Sequence, residues 1–114
     1  FLQTTFDAKL TERVEHEGRI RHAEVRIGDS VVMLGRAPDE SAARPGVLYV
    51  YVEDCEAIYR RAIEAGAVSL REPTLMDYGD RSSGVCDRCG NQWWISTRVE
   101  TLTPEEIQRR ARES

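Results

Sequence analysis

Apolar and polar residues alternate most cleanly where Ala23, Val25 and Ile27 are interleaved with His22, Glu24 and Arg26. A period of two puts successive side chains on opposite faces, so residues 19–27 read as a half-buried strand. Residues 10–15 read as its hairpin partner around His16-Glu17-Gly18. After a two-residue turn at Gly28-Asp29, the unbroken run Val31-Val32-Met33-Leu34 predicts a strand over residues 30–34 that is buried on both faces. Upstream, the apolar positions of Phe1-Leu2-Gln3-Thr4-Thr5-Phe6 resemble the end of an amphipathic helix.

Residues 35–45 carry Pro38 and Pro45 among small and charged residues and read as a linker between two similar halves. Val47-Leu48-Tyr49-Val50-Tyr51-Val52 is β-branched and aromatic, and predicts a strand. Asp54 is placed to cap a helix running to about Ala65, with Ala57, Ile58, Ala62 and Ile63 as its apolar stripe and Gly66 as its stop. Residues 68–70 and 72–78 lead past Pro73 into a hairpin. Its arms are residues 81–85 and 92–97, and its tip is Asp87-Arg88-Cys89-Gly90-Asn91, where Gly90 supplies a positive φ. Thr103-Pro104-Glu105-Glu106 opens a last helix, with Thr103 as cap and Glu106 completing a capping box. The order is therefore (α)βββ, linker, βαβββ, α, an α+β chain.

Composition narrows the partners. At 114 residues the chain has room for one domain, and a formal charge of −4 leaves no basic stripe to neutralise the phosphates of a nucleic acid. Arg109, Arg110 and Arg112 lie beside Glu105, Glu106 and Glu113 and read as a mixed-charge helix face. No apolar run approaches the roughly 20 residues that span a bilayer, and no signal pattern opens the sequence, so a cytoplasmic protein without a membrane partner is expected. Cys55, Cys86 and Cys89 are an odd set. The Cys86/Cys89 pair supplies only two thiolates in a strand-to-turn segment, and reads as turn residues rather than a zinc or redox motif.

The pattern Tyr78-Gly79-Asp80-Arg81, followed by Gly84-Val85-x-Asp87-x-x-Gly90-Asn91, resembles the closing hairpin of the vicinal oxygen chelate superfamily of glyoxalase, bleomycin-resistance and ring-cleaving dioxygenase proteins. The phrases HAEVRIGDSVVML, LYVYVED, SLREPT and GNQWW extend the resemblance to its short glyoxalase-like branch. The resemblance implies two βαβββ modules forming a curled mixed sheet: residues 1–35 as a first module lacking its first strand, 46–99 as the second, and 103–113 as a C-terminal helix. It also implies pairing of modules within or between chains, hence a homodimer.

In that family the sheet forms a cup, and a divalent metal, where present, is held by His and Glu residues of both modules. Carried over by position, these ligands fall on Met33, Val47 and Trp94, and a fourth on the missing first strand. None of the three offers a carboxylate or imidazole, so no metal and no other cofactor is expected. His22 and Glu24, two apart on one strand, make only half a site. Parity puts Tyr49, Tyr51 and Trp94 on the inward face, and the expected small-molecule site comprises these with Met33, His22, Glu24, Arg81 and Tyr78. Two tyrosines on one inward face favour a partly wet pocket over a plain core. Three function classes stay open: a metal-independent binder of the bleomycin-resistance type, a glyoxalase-like lyase or extradiol-dioxygenase-like enzyme, and a structural dimer without ligand chemistry. With no catalytic residue assigned, the binder is preferred.

Overall fold

Glu17 (φ 53°) and Gly18 (φ 76°) both adopt left-handed backbone, and this two-residue turn folds β1 (Lys9–His16) back on β2 (Arg19–Ile27). The computed structural model describes residues 1–113. These divide into two units, one from Phe1 to Pro45 and one from Gly46 on. The first opens with a short helix, α1 (Leu2–Phe6), and holds an antiparallel sheet of order β1-β2-β3, with β3 spanning Ser30–Gly35. A 3-10 turn at Glu40–Ala42 lies in the stretch predicted as a linker. Ala23 and Val25 are buried as their spacing requires, together with Thr5, Phe6 and Ala8.

One expectation for this unit fails. β3 is not buried on both faces: only Val32 is half-buried, whereas Val31 and Met33 are 52% and 66% exposed. The physical reason is topological, since β3 pairs only with β2 and is an edge strand.

The second unit starts with β4 (Val47–Tyr51), followed by α2 (Cys55–Glu64), β5 (Val68–Leu75), β6 (Asp80–Cys86), β7 (Gln92–Arg98) and α3 (Pro104–Glu113). Its sheet has the order β4-β7-β6-β5; β4 runs parallel to β7 and the other pairs are antiparallel. The side chain of Asp54 caps α2 by accepting from the Ala57 N–H at 3.1 Å. α2 packs on β5, β6 and β7, and the core beneath it contains Trp93, Ile95, Val85, Cys55 and Ala62, each at most 2% exposed. Such full burial contributes about 1.5–3 kcal/mol for each large apolar side chain.

Three details depart from the sequence reading. Ile63 is 37% exposed, and Cys55 takes the buried place on the helix stripe because it faces Ser83 and Ile95. Residues 68–75 form one strand rather than two, with register shifts on either side of Arg71 that accommodate Pro73 at the sheet edge. Thr103 does cap α3 by accepting from the Glu106 N–H, but the Glu106 carboxylate turns to Arg109 and Arg110 instead of closing the box.

Candidate functional site

Strand pairing decides which side chains share a face. Tyr49 lies opposite Trp94, Trp94 opposite Gly84, and Gly84 opposite Arg71, so a row crosses all four strands on the side away from α2. The Tyr49 and Trp94 rings stack at 6.3 Å with 20° between their planes, and the Arg71 guanidinium lies 5.0 Å from the Trp94 ring centroid. Gly84 makes this possible. A Cβ there would stand 2.6 Å from Trp94 Cε3, so only a glycine lets the indole lie flat on the strand. Trp94 also donates from Nε1 to Gln92 Oε1 at 3.3 Å.

The next row down is polar. Tyr51 pairs with Ser96, Ser96 with Ser82, and beyond them Arg98 pairs with Asp80. Tyr51 donates its hydroxyl to Asp80 Oδ2 at 2.6 Å, and Arg98 donates from Nη2 to the Tyr51 oxygen at 3.2 Å while its guanidinium lies 5.3 Å from the Tyr51 ring. Asp80 is 2% exposed and is also 3.5 Å from Arg98 Nε. By accepting the hydrogen bond of the phenol O–H, the Asp80 carboxylate pushes the Tyr51 pKa up, so Tyr51 stays a neutral hydroxyl through the physiological range. The result is a face with an aromatic end, an ionic end and a floor of small hydroxyl residues. Tyr49 is 72% exposed and Tyr51 59%, leaving their rings open to anything that approaches.

The hairpin tip fixes β7 at the right height. Asp87 accepts from the Cys89 and Asn91 backbone N–H groups at 2.9 and 3.0 Å and from Trp93 Nε1 at 2.9 Å. Gly90 is left-handed at φ 88°, as expected of the tip glycine. Asn91 uses its side chain: Oδ1 accepts from the Gly46 N–H at 2.8 Å, and the Gln92 N–H donates to the Gly46 oxygen, locking the start of β4 beside the start of β7.

Of the residues expected to form one site, Tyr49, Tyr51 and Trp94 share this face. Arg81 does not. It pairs with Thr97 and Leu75, three positions from Gly84 and so on the opposite side, and its guanidinium bonds Glu56 of α2 at 2.6 Å. Its place among the cations is taken by Arg71 and Arg98. The signal for Arg98 was in the sequence, since positions 94, 96 and 98 have one parity; Arg71 was hidden by the bulges of β5. Tyr78 sits in the β5–β6 turn and not on the strand face, 40% exposed. His22, Glu24 and Met33 belong to the first unit, where Glu24 pairs with Met33 and His22 with Gly35 on one side of that sheet. There Thr11 donates to Glu24 Oε2 at 3.1 Å.

Met33, Val47 and Trp94 stand where the resemblance places metal ligands. Val47 and Trp94 share the aromatic face but offer no donor atom to a hard or borderline cation, and Met33 offers only a thioether. Among the described residues no three His, Cys, Asp or Glu side chains are grouped to hold a metal ion. These residues do not fit a divalent metal. Cys86 and Cys89 are free thiols, and burial pushes the Cys55 thiol up.

Sequence comparison finds the uncharacterised protein Mb0911c of Mycobacterium bovis 29% identical, covering 95% of this chain and 79% of that protein. Among solved structures, TioX of Micromonospora sp. ML1 superposes with a TM-score of 0.73 at 25% identity, covering 86% of this chain and 85% of its own. FosX of Listeria monocytogenes, a fosfomycin resistance protein solved with Mn(II) and sulfate, gives a TM-score of 0.64 at 13% identity, covering 96% and 82%, a likeness of fold. The sequence profile of one family matches residues 1–95, and with the hairpin and module order above it shows that this chain belongs to the Glyoxalase/Bleomycin resistance protein/Dioxygenase superfamily.

Proposed function

We propose that this protein binds a small, planar, partly polar organic molecule on the open face of the β4-β7-β6-β5 sheet without the help of a metal, in the manner of the bleomycin-resistance branch of its superfamily. The observation that carries the reading is the Tyr49–Trp94 stack, open on the Tyr49 side and flanked by Arg71. Apolar surface left in water forgoes about 25 cal/mol per Å² of stabilisation, and a flat ligand laid on the aromatic row recovers it. Arg98 and Tyr51 supply polar contacts at the other end of the face, with Arg98 in the role that Arg81 was expected to fill. A homodimer is the working unit of this proposal, supported by the uncovered edge strand β3.

Thermal shift and tryptophan fluorescence across a library of aromatic antibiotics and metabolites test it, on the wild type and on Trp94→Ala. A compound should raise the melting temperature of the wild type and bind Trp94→Ala about tenfold more weakly, from lost contact area and stacking. Equal binding to both, or no hit, would return the aromatics to a purely structural role. Elemental analysis of protein purified without chelator should find no stoichiometric metal, and one Zn, Ni, Mn or Fe per chain would favour the metalloenzyme reading.

A further inference from the structure

At the tip of the first unit, three arginines and a histidine line one groove. Arg19 and Arg21 are two apart on β2, His16 lies opposite Arg19, and the Arg36 N–H donates to the Arg21 oxygen at 3.0 Å just past the end of β3. The β1–β2 register shifts beside Arg21, between the Val14–His22 and Glu15–Ile20 pairs, and this irregularity brings side chains from either side of it to the lining of one hollow. With Glu17, Ala37 and Pro38 they line an open hollow of about 520 Å³, a size usual for small-molecule sites, and a second hollow adjoins it past Asp39.

The charges here do not cancel. Among the described residues no carboxylate pairs with Arg19, Arg21 or Arg36. Among the described residues two carboxylates stand at the hollow, against three arginines: Glu17 lines it and lies 3.5 Å from His16, and Asp39 accepts from the Ser41 hydroxyl and the Ala42 N–H. Like charges on neighbouring segments repel, and Arg36, held by its backbone N–H to the Arg21 oxygen, stands beside Arg21. In a chain of net charge −4, a local concentration of guanidinium groups is the reverse of the background.

We propose that this groove binds a small phosphate-bearing anion. Guanidinium forks match phosphate oxygens two at a time, and several of them around one hollow suit a multiply charged anion better than a single carboxylate. The acidic remainder of the chain repels an extended polyanion, which confines the ligand to small-molecule size. This site rests on residues separate from the aromatic face, so either reading can fail without the other.

The test is isothermal titration of the whole chain with sodium pyrophosphate, at neutral pH and an ionic strength held constant with potassium chloride. Saturable binding of one pyrophosphate per chain is expected, with orthophosphate weaker. The double variant Arg21→Gln/Arg36→Gln should lose about tenfold or more in affinity while its melting temperature holds or rises, because charge-assisted bonds go and a like-charge pair is relieved. Arg19→Gln, further out on the hairpin, gives a second and smaller loss should the double variant fold poorly. No saturable heat, equal affinity in the variants, or the same heat from chloride alone overturns the proposal.

Discussion

Asp87 shows how much one short side chain can organise. Its carboxylate collects backbone donors from Cys89 and Asn91, the Asn91 amide and the Trp93 indole, so it ties the hairpin tip to the core tryptophan. Replacing it with alanine strands several of these donors in a half-buried turn. Asp87→Ala should therefore lower stability by about 2–3 kcal/mol, read as a lower urea midpoint with an unchanged slope. A loss under about 0.5 kcal/mol would mean that water replaces the carboxylate without penalty. The turn formers around Asp87 were legible in the sequence because turn chemistry is local. The partners of Asn91 and the cations of the aromatic face were not, since Asn91 bonds Gly46 and Arg71 reaches Trp94 through pairings that no short window contains. Arg81 was misplaced for a related reason. It was carried over with its motif, although its odd spacing from Gly84 sends it to the helix side, where Glu56 holds it.

Among the elements, strands and helices were legible wherever periodicity and caps agreed, as in β2 and α2. β3 was misread because an apolar run looks the same in a strand buried on both faces and in an edge strand that leaves Val31 and Met33 exposed. The mixed-charge face read into the last helix is present in α3, which buries no residue and is laced by ion pairs of Glu106 with Arg109 and Arg110. Hydrogen bonds from those arginines, Arg109 first, hold the Glu106 carboxyl down to about 2 from an ordinary 4.5. A carboxylate depressed in the folded state contributes its stability above the unfolded pKa and loses it as pH falls through the folded one. The bonding around Glu106 should thus be intact above pH 4.5 and loosen between there and about 2. A carboxyl-carbon NMR titration in low salt should place the Glu106 midpoint well below 4.5, and added salt should move it back up. A midpoint at the ordinary value in low salt would show that the ion pairs do not persist in solution.

For the molecule as a whole, the α+β class and the superfamily were readable because module order and hairpin motif are both written along the chain, whereas assembly is not. If the proposed dimer forms, light scattering at micromolar concentration should give about twice the mass of one chain, and Met33→Lys on the exposed edge strand should shift the mass toward one. A monomeric mass for the wild type would contradict it. Another property belongs to the molecule alone, the order in which it assembles. The β6–β7 hairpin closes over a short loop, but β4 reaches β7 only when Gly46 meets Asn91, 45 positions away, and a parallel partner so remote carries a larger entropic cost of closure. Refolding should therefore begin at the hairpin and end with the docking of β4. In stopped-flow fluorescence of the core tryptophan, Asp87→Ala should slow folding, whereas Asn91→Ala should leave the folding rate nearly unchanged and speed unfolding. Until that last strand arrives, β7 has a bare edge and Tyr49 has no Trp94 to rest on, so the proposed binding face is among the last parts of the protein to exist.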